Sequence, residues 1–232
     1  MNSDQRLADY DNPLVRETAE RLTSDAIIVR EKLNRLFHYV RDDIKFAFPQ
    51  EGDLVKASTT IRLGNGQCNT KSTLFLALCK AVEIPARIHF SLIKKEIQRG
   101  LFTGLGNKLM PPLLSHSWIE VEVDGKWRRI DSYINDKIYY QAAKSELQKR
   151  VWDTGYSVSC PGGECSCDFN VDQEVFVQMG AVVGDHGIWD DPSDYYATDQ
   201  YQNRLNIMKS ILYRLMIWRV NRRVESMRRG YT

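Results

Sequence analysis

Residues 68–82 place apolar side chains on nearly every face of a helix: Leu74, Phe75, Leu76, Leu78 and Val82 leave it no polar side. A helix of that kind has to be central and buried. The spacing predicts it from Cys68 to about Val82, with Glu83–Pro85 ending it. A chain of 232 residues, 43% hydrophobic and 27% charged, can surround such an element. Those values exclude intrinsic disorder, collagen-like repeats and a disulfide-held miniprotein. The longest purely apolar run, Leu74 to Cys79, is six residues, against about 20 for a bilayer span. The opening MNSDQRLADYDNP carries charges and no apolar signal region. With an odd number of cysteines, five, the expectation is a soluble, cytoplasmic protein with reduced thiols.

Around the central helix the chain divides into recognisable pieces. Residues 14–42 read as helical, with Ser24 as an N-cap and Ile28, Leu33, Leu36, Phe37 and Val40 at helical spacing. IKFAFP suggests a short extended segment, Ser58 a cap for a short helix ending at Gly64, and Gly64–Gln67 a turn. Arg87–Ile93 alternates as a strand, and residues 94–114 read as a long loop. Ser115–Val123 and Lys126–Ile134 follow as strands joined by Asp124–Gly125, a two-residue hairpin signal. A helix is expected at 141–150 and another at 201–226; residues 153–203 show no period.

Three residues carry the chemistry. Cys68 opens the buried helix after a Gly-rich turn, where free backbone N–H groups and the helix dipole favour a thiolate. The Cys68 N–H can also serve as an oxyanion donor. His116 and Asp131 lie on the two arms of the hairpin. With 124 and 125 at the turn, paired residue numbers sum to 249, which sets Trp118 opposite Asp131 and His116 opposite Tyr133. His116 and Asp131 then form a diagonal pair on one face, about 7–8 Å apart; a one-residue slip would separate them. An Asp holding one imidazole nitrogen leaves the other free to take the thiol proton. Gln67 and Trp118 complete the expected cleft, Gln67 by shaping the turn or assisting the oxyanion and Trp118 as a wall near His116.

The stretches GNGQCNTKSTLFLALCKAVEIPARIHF and SHSWIEVEVDGKWRRIDSYIND resemble the Cys, His and Asp motifs of the transglutaminase-like superfamily, over about residues 55–136. The order Cys, His, Asp and their intervals match as well. The resemblance implies an α+β, papain-like fold: N-terminal helices, a catalytic helix packed on an antiparallel sheet, and a Cys68–His116–Asp131 triad. GQCNTKS and HSWIEV resemble bacterial transglutaminase-like proteins in particular. Animal transglutaminases have Trp directly after the Cys, where this chain has Asn69. The implied activity is cysteine-dependent acyl chemistry on an amide carbonyl, a peptide bond or a Gln side chain, through a thioester. Hydrolysis is favoured over amine transfer because nothing in the sequence marks an amine site. No metal or organic cofactor is called for, and the partner is a protein or peptide substrate. The alternative is a catalytically silent scaffold that binds peptide in the same cleft.

Other motifs lead elsewhere. GNGQCNTKS fails the phosphate-loop template, since Thr70 precedes Lys71–Ser72, so nucleotide binding is rejected. Cys160, Cys165 and Cys167 are too closely spaced for a paired zinc site with His186 and read as free or redox-labile thiols. Cys79, His38, His89 and Arg87 read as structural. From Arg204 to Arg229 there are eight Lys/Arg and one acid, a local charge of +7 in a chain of +2, so the body is acidic. The expected division is a domain of residues 1–200 followed by a basic C-terminal helix, 201–232, packed on it or appended to it. Its stripe of Leu205, Met208, Leu212, Leu215 and Trp218 is expected to face the body. Peripheral contact with an anionic membrane is the second use for that helix, nucleic acid is disfavoured, and residues 222–232 are expected to fray.

Overall fold

The computed structural model describes residues 6–231. At its centre lies the expected helix, running Cys68–Ala81, with every residue from Asn69 to Cys79 buried. Before it come α1 (Pro13–Thr23), α2 (Val29–His38), β1 (Lys45–Phe46), α3 (Ala57–Leu63) and β2 (Asn65–Gly66), which makes the central helix α4. It is followed by β3 (Ala86–Lys94), α5 (Leu105–Leu109), β4 (Leu113–Val123), β5 (Lys126–Ile130) and α6 (Lys137–Arg150). The chain ends with β6 (Thr154–Gly155), β7 (Val158–Ser159), β8 (Val182–Trp189), α7 (Pro192–Tyr196) and α8 (Ile207–Arg229). Helices α1, α2 and α3 pack against α4, and so do strands β3 and β4. The result is an α+β layer arrangement.

The main sheet is antiparallel, in the order β5-β4-β3-β8. Asp124 and Gly125 both have positive φ, +53° and +71°, as a two-residue hairpin turn of the favoured hand requires. The register is the one the sequence implies, with Val123 opposite Lys126 and Ile119 opposite Ile130. The ladder stops there, however, and β5 ends at Ile130 rather than Ile134. Asp131 and Tyr133 therefore have no ladder partners on β4, and His116 pairs only with Ser91 of β3.

Several local expectations are corrected. The 14–42 helix is two helices: α1 is capped by Asn12, whose side chain accepts from the Leu14 N–H, and Ser24 sits at its C-terminal end. Helix α3 begins at Ala57, so Ser58 lies inside it. The Asp9 carboxylate, reaching in from a distant segment, accepts from the Ser58 N–H at 3.0 Å and its hydroxyl at 2.6 Å. Instead of a plain turn, Asn65–Gly66 pairs in parallel with Lys45–Phe46. The 94–114 loop contains a 3₁₀ turn at Lys95–Gln98 and α5. Cys160 and Cys165 form a disulfide, which leaves Cys68, Cys79 and Cys167 as free thiols. Strand β8, unread in the sequence, is an edge strand with register shifts and a left-handed Gly187 (φ +76°), features that erase strict alternation.

Helix α8 turns to the body a face that only partly matches the sequence stripe: Leu205 and Leu212 line a cavity on the body, but the rest of the stripe does not. Met208, Leu215 and Trp218 are 80%, 70% and 57% exposed, whereas Ile217, Val220 and Val224 are buried in the core. Those three recur at i, i+3 and i+7, a genuine if narrower stripe. The end expected to fray stays helical to Arg229. Arg228 reaches Asp136, the N-cap of α6, at 2.6 Å and the Phe46 carbonyl at 2.5 Å. A basic side chain becomes buriable when a buried carboxylate and a carbonyl receive it. Among the described residues, no helix is long and apolar enough to cross a membrane.

Candidate active site

The sharp entry into α4 is set by glycine. A Cβ on Gly66 would lie 2.6 Å from the Thr70 hydroxyl and 3.1 Å from the Lys71 side chain, so only glycine fits where the chain doubles back onto the first helical turn. Gln67 is the N-cap. Its side-chain oxygen accepts from the Asn69 N–H at 2.9 Å, while the Thr70 hydroxyl accepts from the Gln67 N–H at 3.0 Å, a reciprocal capping box. The same Gln67 oxygen accepts the Cys68 thiol proton, at 2.8 Å. The Gln67 amide nitrogen donates to Asp53 at 2.5 Å. Gln67 thus shapes the turn, and one of its two amide N–H bonds is engaged by Asp53.

The first turn of α4 docks on β4 just where β5 has departed. The Asn69 amide donates to Asp53 (2.8 Å) and to the Ser115 carbonyl (3.1 Å), and its oxygen accepts from the Ser117 hydroxyl (2.9 Å). Ser72 donates to the Ser117 carbonyl at 3.1 Å and shares a 2.6 Å hydrogen bond with Tyr133. These bonds hold Cys68 beside the strand that carries His116. Both residues line one cavity of about 280 Å³.

His116 is fully buried, and neither ring nitrogen has a hydrogen-bond partner. Burial drives its pKa down to about 3, so the ring is neutral. The Cys68 thiol is pushed well up by burial and then by the charge of Asp53, with the Asn69 and Ser117 N–H groups leaning the other way. Asp131 is also fully buried, at the end of β5. Its carboxylate accepts from the Val177, Gln178 and Met179 N–H groups at 2.7, 2.7 and 3.0 Å. Burial nevertheless raises it to about 6, because three N–H donors only partly offset the lost hydration. The structure thus brings Cys68 and His116 to one cavity and leaves Asp131 bonded to the 177–179 segment rather than to His116. Trp118 does not line the cavity: it stacks on His89, ring centroids 4.3 Å apart, with its centroid 6.1 Å from that of His116.

One residue the sequence reading missed is Asp53. Its buried carboxylate accepts from Gln67, Asn69, Tyr201 (3.0 Å) and Asn203 (2.9 Å). It therefore ties the Cys68 turn to the segment leading into α8. No periodicity or motif marks an acid in a short loop, so only its neighbours in space give it meaning. Arg87, by contrast, pairs with Glu120 at 2.7 Å as a structural cation. No group of three or more His, Cys, Asp or Glu suited to a metal occurs among the described residues.

The model of the transglutaminase-like superfamily matches residues 14–132, about half of the chain. No curated protein matches the sequence significantly. Among solved structures, a provisionally assigned cysteine protease from Cytophaga hutchinsonii is 16% identical, with a TM-score of 0.49 over 82% of this chain and 45% of that one. A provisionally assigned protease from Parabacteroides distasonis is 18% identical, with a TM-score of 0.37 over 53% of this chain and 25% of that one. A structure described as a TGase is 16% identical, with a TM-score of 0.34 over 54% of this chain and 31% of that one. The chain spans less than half the length of each of these solved proteins. With the Cys, His and Asp motifs inside the matched span, the chain belongs to the transglutaminase-like superfamily.

Proposed function

We propose that this protein performs cysteine-dependent acyl chemistry on amide carbonyls, with hydrolysis favoured over amine transfer. The supporting observation is the shared cavity: a helix-start thiol and a neutral, unpartnered imidazole line the same space. Burial penalises a lone thiolate and a lone imidazolium alike. Moving the proton from Sγ to the ring creates both charges together, so each offsets the other's cost. The sulfur then attacks the carbonyl carbon, and the C–N bond breaks as His116 returns the proton to the departing amine. Water, deprotonated by the same imidazole, cleaves the thioester and regenerates the thiol. Asp131 acts as the positioning residue for His116. Reaching the ring requires its carboxylate to give up an N–H from the 177–179 segment, or to share an oxygen with it. The Cys68 N–H, at the start of α4, stabilises the oxyanion.

β-Casein, which offers both peptide bonds and Gln side chains, tests this directly. Wild-type protein is expected to release new α-amino groups or ammonia, and Cys68→Ala to lose at least about a thousandfold of that rate. Dansylcadaverine added to the reaction should be incorporated far more slowly than hydrolysis proceeds. Retention of turnover by Cys68→Ala would remove the proposal.

A further inference from the structure

The cavity that reaches Cys68 has a chemistry of its own. Its apolar lining includes Phe48, Ile97, Phe102 and Leu114 together with Leu212 and Met216 of α8. Helices α5 and α8 both contribute to its lining, through Gly106 and Leu109 and through Leu212, Tyr213 and Met216. A Cβ on Gly106 would fall 2.5 Å from the Met216 methyl, so glycine there permits the close approach. The polar groups that touch the cavity are largely spoken for. Asp53 already accepts four hydrogen bonds. The Gln178 amide donates to the Ser157 carbonyl (2.7 Å) and hydroxyl (2.9 Å), and the Asn203 amide donates to Asp53 and the Ser115 carbonyl. Arg204 and Lys209 also line the cavity, so a cation entering here would meet like charge and no free carboxylate, which is costly.

Apart from the ring nitrogens of His116, one acceptor stands open. Gln98 lines the cavity, is only 8% exposed, and its Oε1 has no hydrogen-bond partner. An orphaned buried acceptor beside apolar walls suits a ligand that brings an N–H together with an apolar group.

Resting on the acyl-transfer reading, we propose that the acyl donor is a peptide with a large apolar side chain on the residue supplying the attacked carbonyl. That side chain fills the cavity between residues 97–114 and α8, and the peptide N–H donates to Gln98 Oε1. A fatty-acyl donor would fill the walls and leave Gln98 unanswered. A volume of about 280 Å³ exceeds what a small side chain can fill, so glycine or alanine at that position forfeits the contact.

Alkylation of Cys68 by chloromethyl ketones reads this without turnover: sulfur displaces chloride, forming a carbon–sulfur bond, and the thiol proton goes to His116. The N-acetyl-phenylalanine reagent is expected to label Cys68 between about tenfold and a hundredfold faster than the N-acetyl-glycine reagent, as burial of one aromatic side chain implies. All rates are taken relative to iodoacetamide in the same variant. That preference should fall below about threefold in Leu212→Asp, which places a carboxylate in the cavity. Labelling by both N-acetyl reagents should slow severalfold in Gln98→Met, which removes the acceptor for the N–H they share at nearly constant volume. Equal rates for the two reagents, with iodoacetamide still labelling Cys68, would overturn the pocket assignment alone. Fastest labelling by 1-chloro-2-dodecanone, indifferent to Gln98→Met, would overturn the peptide in favour of a lipid-like acyl group. Failure of every reagent at Cys68 would overturn the acyl-transfer reading, and this inference with it.

Discussion

His116→Phe should abolish activity and make the protein more stable. Loss of the proton acceptor is expected to lower turnover at least about a hundredfold, the lower range for a positioned general base. Stability moves the other way because both imidazole nitrogens are buried without partners, and a phenyl ring leaves nothing unsatisfied. The gain at pH 7 is expected to be about 1–2 kcal/mol. It should grow in acid. The folded-state pKa of His116, about 3, lies below its ordinary value of 6.5. Between those limits the unfolded chain binds the proton and the folded one does not, so wild type loses stability as pH falls below 6.5. At pH 5 that adds roughly 2 kcal/mol to the difference. Asp131 acts oppositely in wild type: raised from 3.8 to about 6, it favours the folded state below pH 3.8 and loses that contribution as pH rises through 6. Comparing the two proteins at each pH separates the histidine's effect. Urea midpoints at pH 7 and pH 5 make the measurement, and a variant less stable at both would contradict this account.

The second large effect is structural. Arg228→Ala should cost about 3–5 kcal/mol, the usual penalty for stranding one member of a buried pair. Asp136 is 1% exposed and serves three elements: it accepts from the Phe46 N–H at 2.9 Å, caps α6 through the Tyr139 N–H at 3.2 Å, and binds Arg228. Burial pushes its carboxyl up, but Arg228 and the Phe46 N–H more than offset this and hold it below its ordinary value. Its contribution is therefore present above pH 3.8 and is lost as pH falls further. Arg228→Lys should recover only part of the loss, because an ammonium cannot reproduce the planar fork. Chemical denaturation of both variants decides it. A cost below about 1 kcal/mol for Arg228→Ala would show that the C-terminal helix is held chiefly by Ile217, Val220 and Val224.

What the sequence made legible was whatever local periodicity or backbone chemistry controls. Leu74 to Leu78 leave α4 no polar face, and Asp124–Gly125 admits one register, so the buried helix and the hairpin could be read in advance; the nearness of Cys68 to His116 came only from the resemblance to transglutaminase-like motifs. The place where β5 stops could not. Nothing in RRIDSYI announces that pairing ends at Ile130, where Asp131 instead meets the backbone of residues 177–179. Nor could the facing of α8 be read, because Met208, Leu215 and Trp218 make as convincing a stripe on paper as Ile217, Val220 and Val224. The choice between them was made by partners far away in sequence, Asp136 among them. Asp53 and Gln98 gain their significance the same way, one by four donors gathered from separate segments and one by having none.

The sharpest test is the iodoacetamide labelling rate of each free cysteine in the folded protein at pH 7, located by mass spectrometry. Cys68 should react far faster than the buried Cys79, and His116→Ala should slow Cys68 at least about tenfold without a comparable change at Cys79. Should Cys68 react no faster than Cys79, or keep its rate without the imidazole, thiol and histidine do not work as one unit.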